Sequence, residues 1–179
     1  HKDIDYGHYL LGICFYENIV DEGRDLGPIL KAKEQFEILI KNYPKTEFAI
    51  DASFKLGLIT DRLAGKEMYI GRHYQKSQKW IAAINRFKNV LENYDTSVYI
   101  EEAIYRLAEI HYIIGIEDEA KRYASLLGYN YGTSDWYKAS YKIFNKNYDL
   151  SEKEIFSIKE RDKKSMFKKF KERFKNLFN

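Results

Sequence analysis

Gly71-Arg72-His73-Tyr74, followed by Trp80-Ile81-Ala82-Ala83-Ile84-Asn85-Arg86-Phe87, is the stretch that decides the fold. A 34-residue helix–turn–helix repeat needs small residues where its two helices cross and large ones filling between them. Over residues 64–97, Gly71, Tyr74, Trp80, Ala83 and Phe87 stand in that repeat's glycine, tyrosine, aromatic, alanine and phenylalanine places. The small positions let two helix backbones approach, and stacking such pairs buries a continuous core.

Two more frames lie on either side. One starts near Glu101 and carries Ile104, Leu107, Ala108, Gly115, Ala120, Ala124 and Leu127. Ala83 and Ala120 are 37 residues apart, the repeat length plus a three-residue linker insertion. The other lies upstream, with Leu11, Gly12 and Phe15 on its first helix and Ala32, Phe36 and Pro44 marking its second helix and stop. About eight extra residues separate Phe15 from Ala32 and form a loop over 18–28. The frames predict an all-α fold, a right-handed α-solenoid of tetratricopeptide-like repeats over residues 1–150, with a C-terminal helical extension over 151–179.

Helix punctuation agrees. Pro44 cannot continue a helix, and Thr46 can cap the next one. From Thr46 to Ser77 no proline intervenes. The apolar Phe48, Ala52, Leu56, Ile59 and Leu63 recur at three- and four-residue spacing. One long helix over 46–76 follows, with Gly65 its expected kink. Ser97 is expected to cap the helix bearing Glu101 and Glu102, Ser134 the one bearing Trp136, Tyr137, Tyr141 and Phe144. Ser151 with Glu154 makes a capping box ahead of the tail. Trp80 and Trp136 are read as core aromatics rather than ligand-stacking platforms.

Composition narrows the function classes. The 179 residues hold 16 Tyr and 11 Phe but only two Pro, which suits packed helices rather than a loop-rich β protein. No apolar run approaches the roughly 18 residues a membrane helix needs. The single cysteine excludes an internal disulfide and a Cys-based zinc site. Residues 151–179 hold ten Lys and Arg against five acids, a charge of +5. The remaining 20 bases and 22 acids leave residues 1–150 at −2, which argues against a nucleic-acid partner.

Catalytic chemistry finds no constellation. His1, His8, His73 and His111 are scattered, without an HExxH pair. His111 is read as a packing histidine. His8 and Cys14 fall on different helix faces, so no thiol–imidazole pair forms. Leu11-Gly12-Ile13-Cys14 resembles a lipidation box but has Ile13 where a small residue is needed, so Cys14 is read as a buried small hydrophobe. Asp21, Gly23 and Asp25 hint at a calcium loop whose closing ligand would be Ala32, which has no oxygen to offer. The reading is a non-enzyme without cofactor or metal.

Glu67-Met68-Tyr69-Ile70-Gly71-Arg72-His73-Tyr74 with Ala82-Ala83-Ile84-Asn85-Arg86-Phe87 resembles the BamD family of outer-membrane assembly lipoproteins. Glu101-Glu102-Ala103-Ile104-Tyr105-Arg106-Leu107, Leu127-Gly128-Tyr129-Asn130-Tyr131 and Ser134-Asp135-Trp136-Tyr137 share the likeness, which covers about residues 3–144. Asp95 and Gly132 replace usual helix-ending prolines, and Gln78 replaces a turn glycine. The resemblance implies the last three of five repeats, and a scaffold on the periplasmic face of the outer membrane. It also implies a lipid anchor at the full-length N-terminus. The implied partners are the POTRA domains of a BamA-like protein, with other assembly lipoproteins beside it.

Candidate partner-binding residues follow. On the helix over 79–93, Trp80, Ala83, Ile84, Phe87, Val90 and Leu91 pack inward. Lys79, Asn85, Arg86, Lys88 and Asn89 remain on or near the outer face. That face is either simply solvated or a partner contact, and the Asn85-Arg86 match favours the contact. A guanidinium suits a partner carboxylate. Arg24-Asp25 is either a salt bridge pinning the loop or a recognition pair. An alternative function is an adaptor whose concave groove clamps a peptide's C-terminal carboxylate. Its cations would be Arg72, Lys76 and Arg106, a thin set.

In the tail, Phe167, Phe170, Phe174 and Leu177 recur at helical spacing among Lys168, Lys169, Lys171, Arg173 and Lys175. That basic amphipathic pattern admits three readings: docking on this chain or a second copy, shallow insertion at an anionic bilayer, or order only on a partner.

Overall fold

The computed structural model describes residues 4–19 and 26–144. Arg24, Asp25, the Asp21–Gly23 hint, the Ser151 capping box and tail residues Phe167, Phe170, Phe174 and Leu177 lie outside them. The described residues form seven α-helices and no strand: α1 (Ile4–Glu17), α2 (Gly27–Asn42), α3 (Glu47–Lys76), α4 (Trp80–Asn93), α5 (Ile100–Ile113), α6 (Glu117–Tyr131) and α7 (Asp135–Phe144). None is long and apolar enough to cross a membrane. The chain divides into two compact units, with the division between Lys66 and Glu67, inside α3.

The unit up to Lys66 is built on α1, α2 and the first part of α3. Gly12 of α1 is buried because Phe36 of α2 lies where a Cβ would project. Ile29, Ala32, Phe36 and Leu39 of α2, with Ala49, Ala52, Ile59 and Leu63 of α3, fill the interior. The Tyr9 hydroxyl donates to Asp51 at 2.6 Å, and the Tyr6 and Tyr9 rings each lie 5.2 Å from Phe48. Pro28 stands in the first turn of α2, where its missing N–H has no helical partner to lose. Thr46 caps α3, its Oγ1 accepting the Ala49 N–H at 3.2 Å. The helix is continuous through Gly65 to Lys76.

One expectation fails in this unit. Cys14 is exposed, not buried. Gly12 marks the line of contact with α2, and two residues further on the side chain has turned about 200° round the helix.

The unit from Glu67 centres on α5, which packs against α4, α6 and α7. Ile104, Leu107 and Ile110 of α5 are buried with Ala83, Phe87 and Val90 of α4 and Leu127 of α6. Gly71 repeats the device of Gly12, lying flush against the Phe87 ring, and Gly128 does the same against Tyr137. His111 is buried, bonded through Nδ1 to the Leu107 carbonyl at 2.7 Å, with its ring centroid 5.3 Å from that of Tyr123 and tilted against it. Ser134 caps α7 by accepting the Tyr137 N–H at 3.0 Å. Trp136 and Phe144 of α7 then cover Tyr105 and Tyr112 at ring separations of 5.1 and 5.3 Å.

Two turns in this unit share one geometry. After α3 the Lys79 N–H reaches the Tyr74 carbonyl at 2.9 Å, and after α5 the Ile116 N–H reaches the His111 carbonyl at 2.8 Å. Such six-to-one bonds put the intervening residue in the left-handed region. Gly115 meets that demand at φ 82°, whereas Gln78 is forced to φ 56°. Gly132, by contrast, sits at φ −62°, a value proline also adopts.

Ser97 does not cap α5. The helix starts at Ile100 behind Tyr99, with no side-chain cap. Ser97 is already committed to the preceding turn through its N–H to Tyr94, and its Oγ is buried without a hydrogen-bond partner among the described residues. Trp80, like Trp136, is half-buried and so only partly a core aromatic. It opens α4, and the helix's fully buried residues begin at Ala83.

Candidate partner-binding site

The outer face of α4 is set by what its inner face buries. Ala83, Phe87 and Val90 recur at four and three residues and point inward. Asn85, Arg86, Asn89 and Glu92 therefore turn outward, where with Glu67 and Tyr74 of α3 they line an open groove of about 550 Å³. Glu67 and Tyr74 are seven residues apart, two turns on one face of α3. Four of the residues expected on or near the outer face, Asn85, Arg86, Lys88 and Asn89, thus come together. Lys79 precedes the helix as its exposed N-cap residue and is not among the groove's lining side chains.

Arg86 is not simply solvated. Its Nη1 donates to both carboxylate oxygens of Glu67, at 3.3 and 3.1 Å. The Glu67 side chain is 16% exposed and the Arg86 side chain 41%. The Glu67 charge also helps burial raise the Tyr94 hydroxyl above its ordinary pKa, burial being the larger cause. Asn93 Nδ2 donates to Asn89 Oδ1 at 2.6 Å, one turn along the same face. Glu67 is the neighbour of Arg86 that reading α4 alone misses. Its signal was the seven-residue spacing to Tyr74.

A second polar cluster joins α3 to α5. Arg72 donates through Nε and Nη2 to the two oxygens of Glu102, at 2.9 and 2.5 Å. Arg106 donates to Glu102 at 3.3 Å and to Glu109 at 2.9 Å, and Gln75 reaches Glu109 at 2.7 Å. The Arg106 guanidinium lies 5.3 Å from the Tyr105 ring and 5.6 Å from Trp136. Burial pushes the Glu102 carboxyl up, but the Arg72 hydrogen bond and charge, with those of Arg106, outweigh it and hold the pKa below its ordinary value. Glu102 therefore does more than offset a helix dipole: it locks two helices together. The two arginines of the carboxylate-clamp alternative are engaged by this chain's own acids, and only Lys76 of that set has no partner in the cluster.

Among the described residues no three His, Cys, Asp or Glu side chains are grouped as a metal site requires.

Residues 1–127 match a protein-family model described as YfiO, outer membrane lipoprotein. The chain is 47% identical over 146 residues to outer membrane protein assembly factor BamD of Rickettsia prowazekii, covering 82% of this chain and 58% of that protein. It is 43% identical over 142 residues to BamD of Caulobacter vibrioides, covering 79% and 47% respectively. BamD of Neisseria gonorrhoeae is 30% identical over 114 residues, 58% of this chain and 43% of that protein. The chain thus spans about half the length of the curated relatives it matches.

Proposed function

The chain belongs to the YfiO family of outer membrane lipoproteins, which includes the BamD assembly factors, and on that premise we propose that it is a non-catalytic scaffold of the outer-membrane β-barrel assembly machinery. It works at the periplasmic face of the outer membrane, tethered there by a lipid on the full-length protein. Its partner is the POTRA region of a BamA-like protein, which docks on the outer face of α4.

The observation that supports this docking face is the groove over Asn85, Arg86 and Asn89. Arg86 is held within the chain through a single nitrogen, whereas Arg72 and Arg106 each give two nitrogens to acids of this chain. Arginine with a desolvated anchor role is a frequent centre of interfaces. The carboxylate-clamp adaptor has less support, because two of its three cations, Arg72 and Arg106, are bonded to Glu102 and Glu109.

Titration calorimetry of this chain against the purified POTRA region of the BamA-like protein tests the proposal. Arg86→Ala is expected to weaken binding by about 1–3 kcal/mol. Losing the part-exposed Glu67 pair should lower stability by no more than about 1 kcal/mol. Lys138→Ala on α7 serves as the control. Binding unaffected by Arg86→Ala would remove α4 as the docking face, and equal losses of stability and affinity would make Arg86 a packing residue.

A further inference from the structure

Two arginine–glutamate pairs that tie α3 to its neighbours use their guanidinium groups differently. Arg72 spends Nε and Nη2, the two donors that point the same way, on the two oxygens of Glu102. That is the side-on fork, and it is closed. Arg86 offers both oxygens of Glu67 a single nitrogen, Nη1. Its parallel Nε–Nη2 edge donates to no partner among the described residues. A guanidinium carries five N–H donors in a fixed plane, so holding one corner fixes where the other edge points.

The burial of the pair sets the direction. Glu67 is the more enclosed partner and Arg86 the more exposed one, at 16% and 41%. The anchored corner is therefore the inner one, and the open edge belongs to the groove, where Asn85, Lys88 and Asn89 supply further donors and Glu92 one carboxylate. Asn89 shows the same arrangement independently. Its carbonyl oxygen is taken by Asn93 at 2.6 Å, which leaves its own amide donors for the groove. Both side chains have their inward bonding filled by this chain and present N–H groups outward. Such a rim asks for acceptors, and two parallel donors on a cation match the two oxygens of a carboxylate.

We propose that Glu67 is the positioning residue of this face: by holding Nη1 it presents the Nε–Nη2 edge of Arg86 to one carboxylate side chain of the partner, read side-on. The proposal rests on α4 being the docking face. It makes the site read geometry rather than charge, since the Glu67–Arg86 pair is close to neutral as seen from a distance. On this reading lysine should not replace Arg86. An ammonium captured by Glu67 has no second edge to offer, whereas a guanidinium has one.

A double-mutant cycle with the purified POTRA region as probe tests this, with Glu67→Gln, Arg86→Lys, Arg86→Ala and the double variant Glu67→Gln with Arg86→Lys measured by calorimetry. Thermal melts check that each variant is folded. Arg86→Lys is expected to weaken binding about tenfold, as much as Arg86→Ala. In the Glu67→Gln background the ammonium is released, and the same Arg86→Lys change should cost no more than about threefold. Arg86→Lys binding like the parent would overturn the inference, because charge alone would then suffice, while the docking face would stand. An undiminished lysine penalty in the Glu67→Gln background would remove Glu67 from the role. No loss with Arg86→Ala would overturn the docking face and the inference together.

Discussion

Gly57 and Gly71 lie on the same helix, and the same substitution at the two positions should change stability in opposite directions. At either, replacing glycine by alanine inside a helix gains about 0.8–1 kcal/mol from reduced backbone freedom in the unfolded chain. Around Gly57 a Cβ meets nothing within 4 Å. At Gly71 it would stand 2.6 Å from Cε1, 2.9 Å from Cζ and 3.0 Å from Cδ1 of Phe87. Phe87 is fully buried, so its ring has no free space to swing into. Overpacking of that kind costs about 1–3 kcal/mol. Gly57→Ala should therefore stabilise by about 0.5–1 kcal/mol, and Gly71→Ala should destabilise by up to about 2 kcal/mol. For a chain of this size that corresponds to melting shifts of about 2–4 °C per kcal/mol. Far-UV circular dichroism during thermal and urea unfolding measures both. Shaving the ring with Phe87→Leu should shrink the Gly71→Ala penalty. If Gly71→Ala stabilises as much as Gly57→Ala, helix crossing at glycine is not what holds α3 to α4.

Gln78→Gly removes a non-glycine residue from φ 56° and should stabilise by about 0.5–1 kcal/mol, read as a higher melting temperature; a lower one would refute the turn argument. Glu102→Gln should cost about 1–3 kcal/mol by leaving Arg72 and Arg106 short of a charged acceptor, measured by urea unfolding at neutral pH. Because the folded Glu102 pKa lies below its ordinary 4.5, its contribution is present above pH 4.5 and is lost as pH falls through the folded value. Glu102→Gln should flatten that acid limb, and an unchanged limb would show that other carboxylates govern it. Tyr9→Phe should cost about 1 kcal/mol by deleting the bond to Asp51. The Asp51 hydrogen bond, aided by burial, raises the Tyr9 hydroxyl to about 12, so this contribution holds below pH 10 and fades as pH rises through 12. A Tyr9→Phe penalty that persists undiminished above pH 12 would assign the loss to ring packing instead.

Residues whose role is local were legible in the sequence. Thr46 and Ser134 cap the helices that follow them, since a cap depends on a hydroxyl three residues before an N–H. The 30-residue α3 was readable from unbroken apolar periodicity and the absence of proline. The crossing residues Gly12, Gly71, Ala32, Ala83 and Ala120 were readable because one pattern recurs in successive frames. Ser97 shows where local reasoning stops. Its side chain has the right chemistry for a cap, but a turn bond from its own N–H to Tyr94 already holds it in place, and that turn is not visible in residue type.

The candidate site divides in the same way. Periodicity alone put Asn85 and Asn89 on the face of α4 opposite Phe87 and Arg86 on its flank, because burying one face of a helix exposes the other. What Arg86 bonds to was decided only when α3 and α4 packed. Glu67 is 19 residues away, and nothing in its local sequence marks it as the acceptor of one particular nitrogen. The engagement of Arg72 and Arg106 by Glu102 and Glu109 is likewise a product of packing. Helix type, caps and crossing points follow from interactions within a few residues, which the order of amino acids states directly. Which edge of a guanidinium stays free depends on atoms brought together from different helices, and only the folded chain places them.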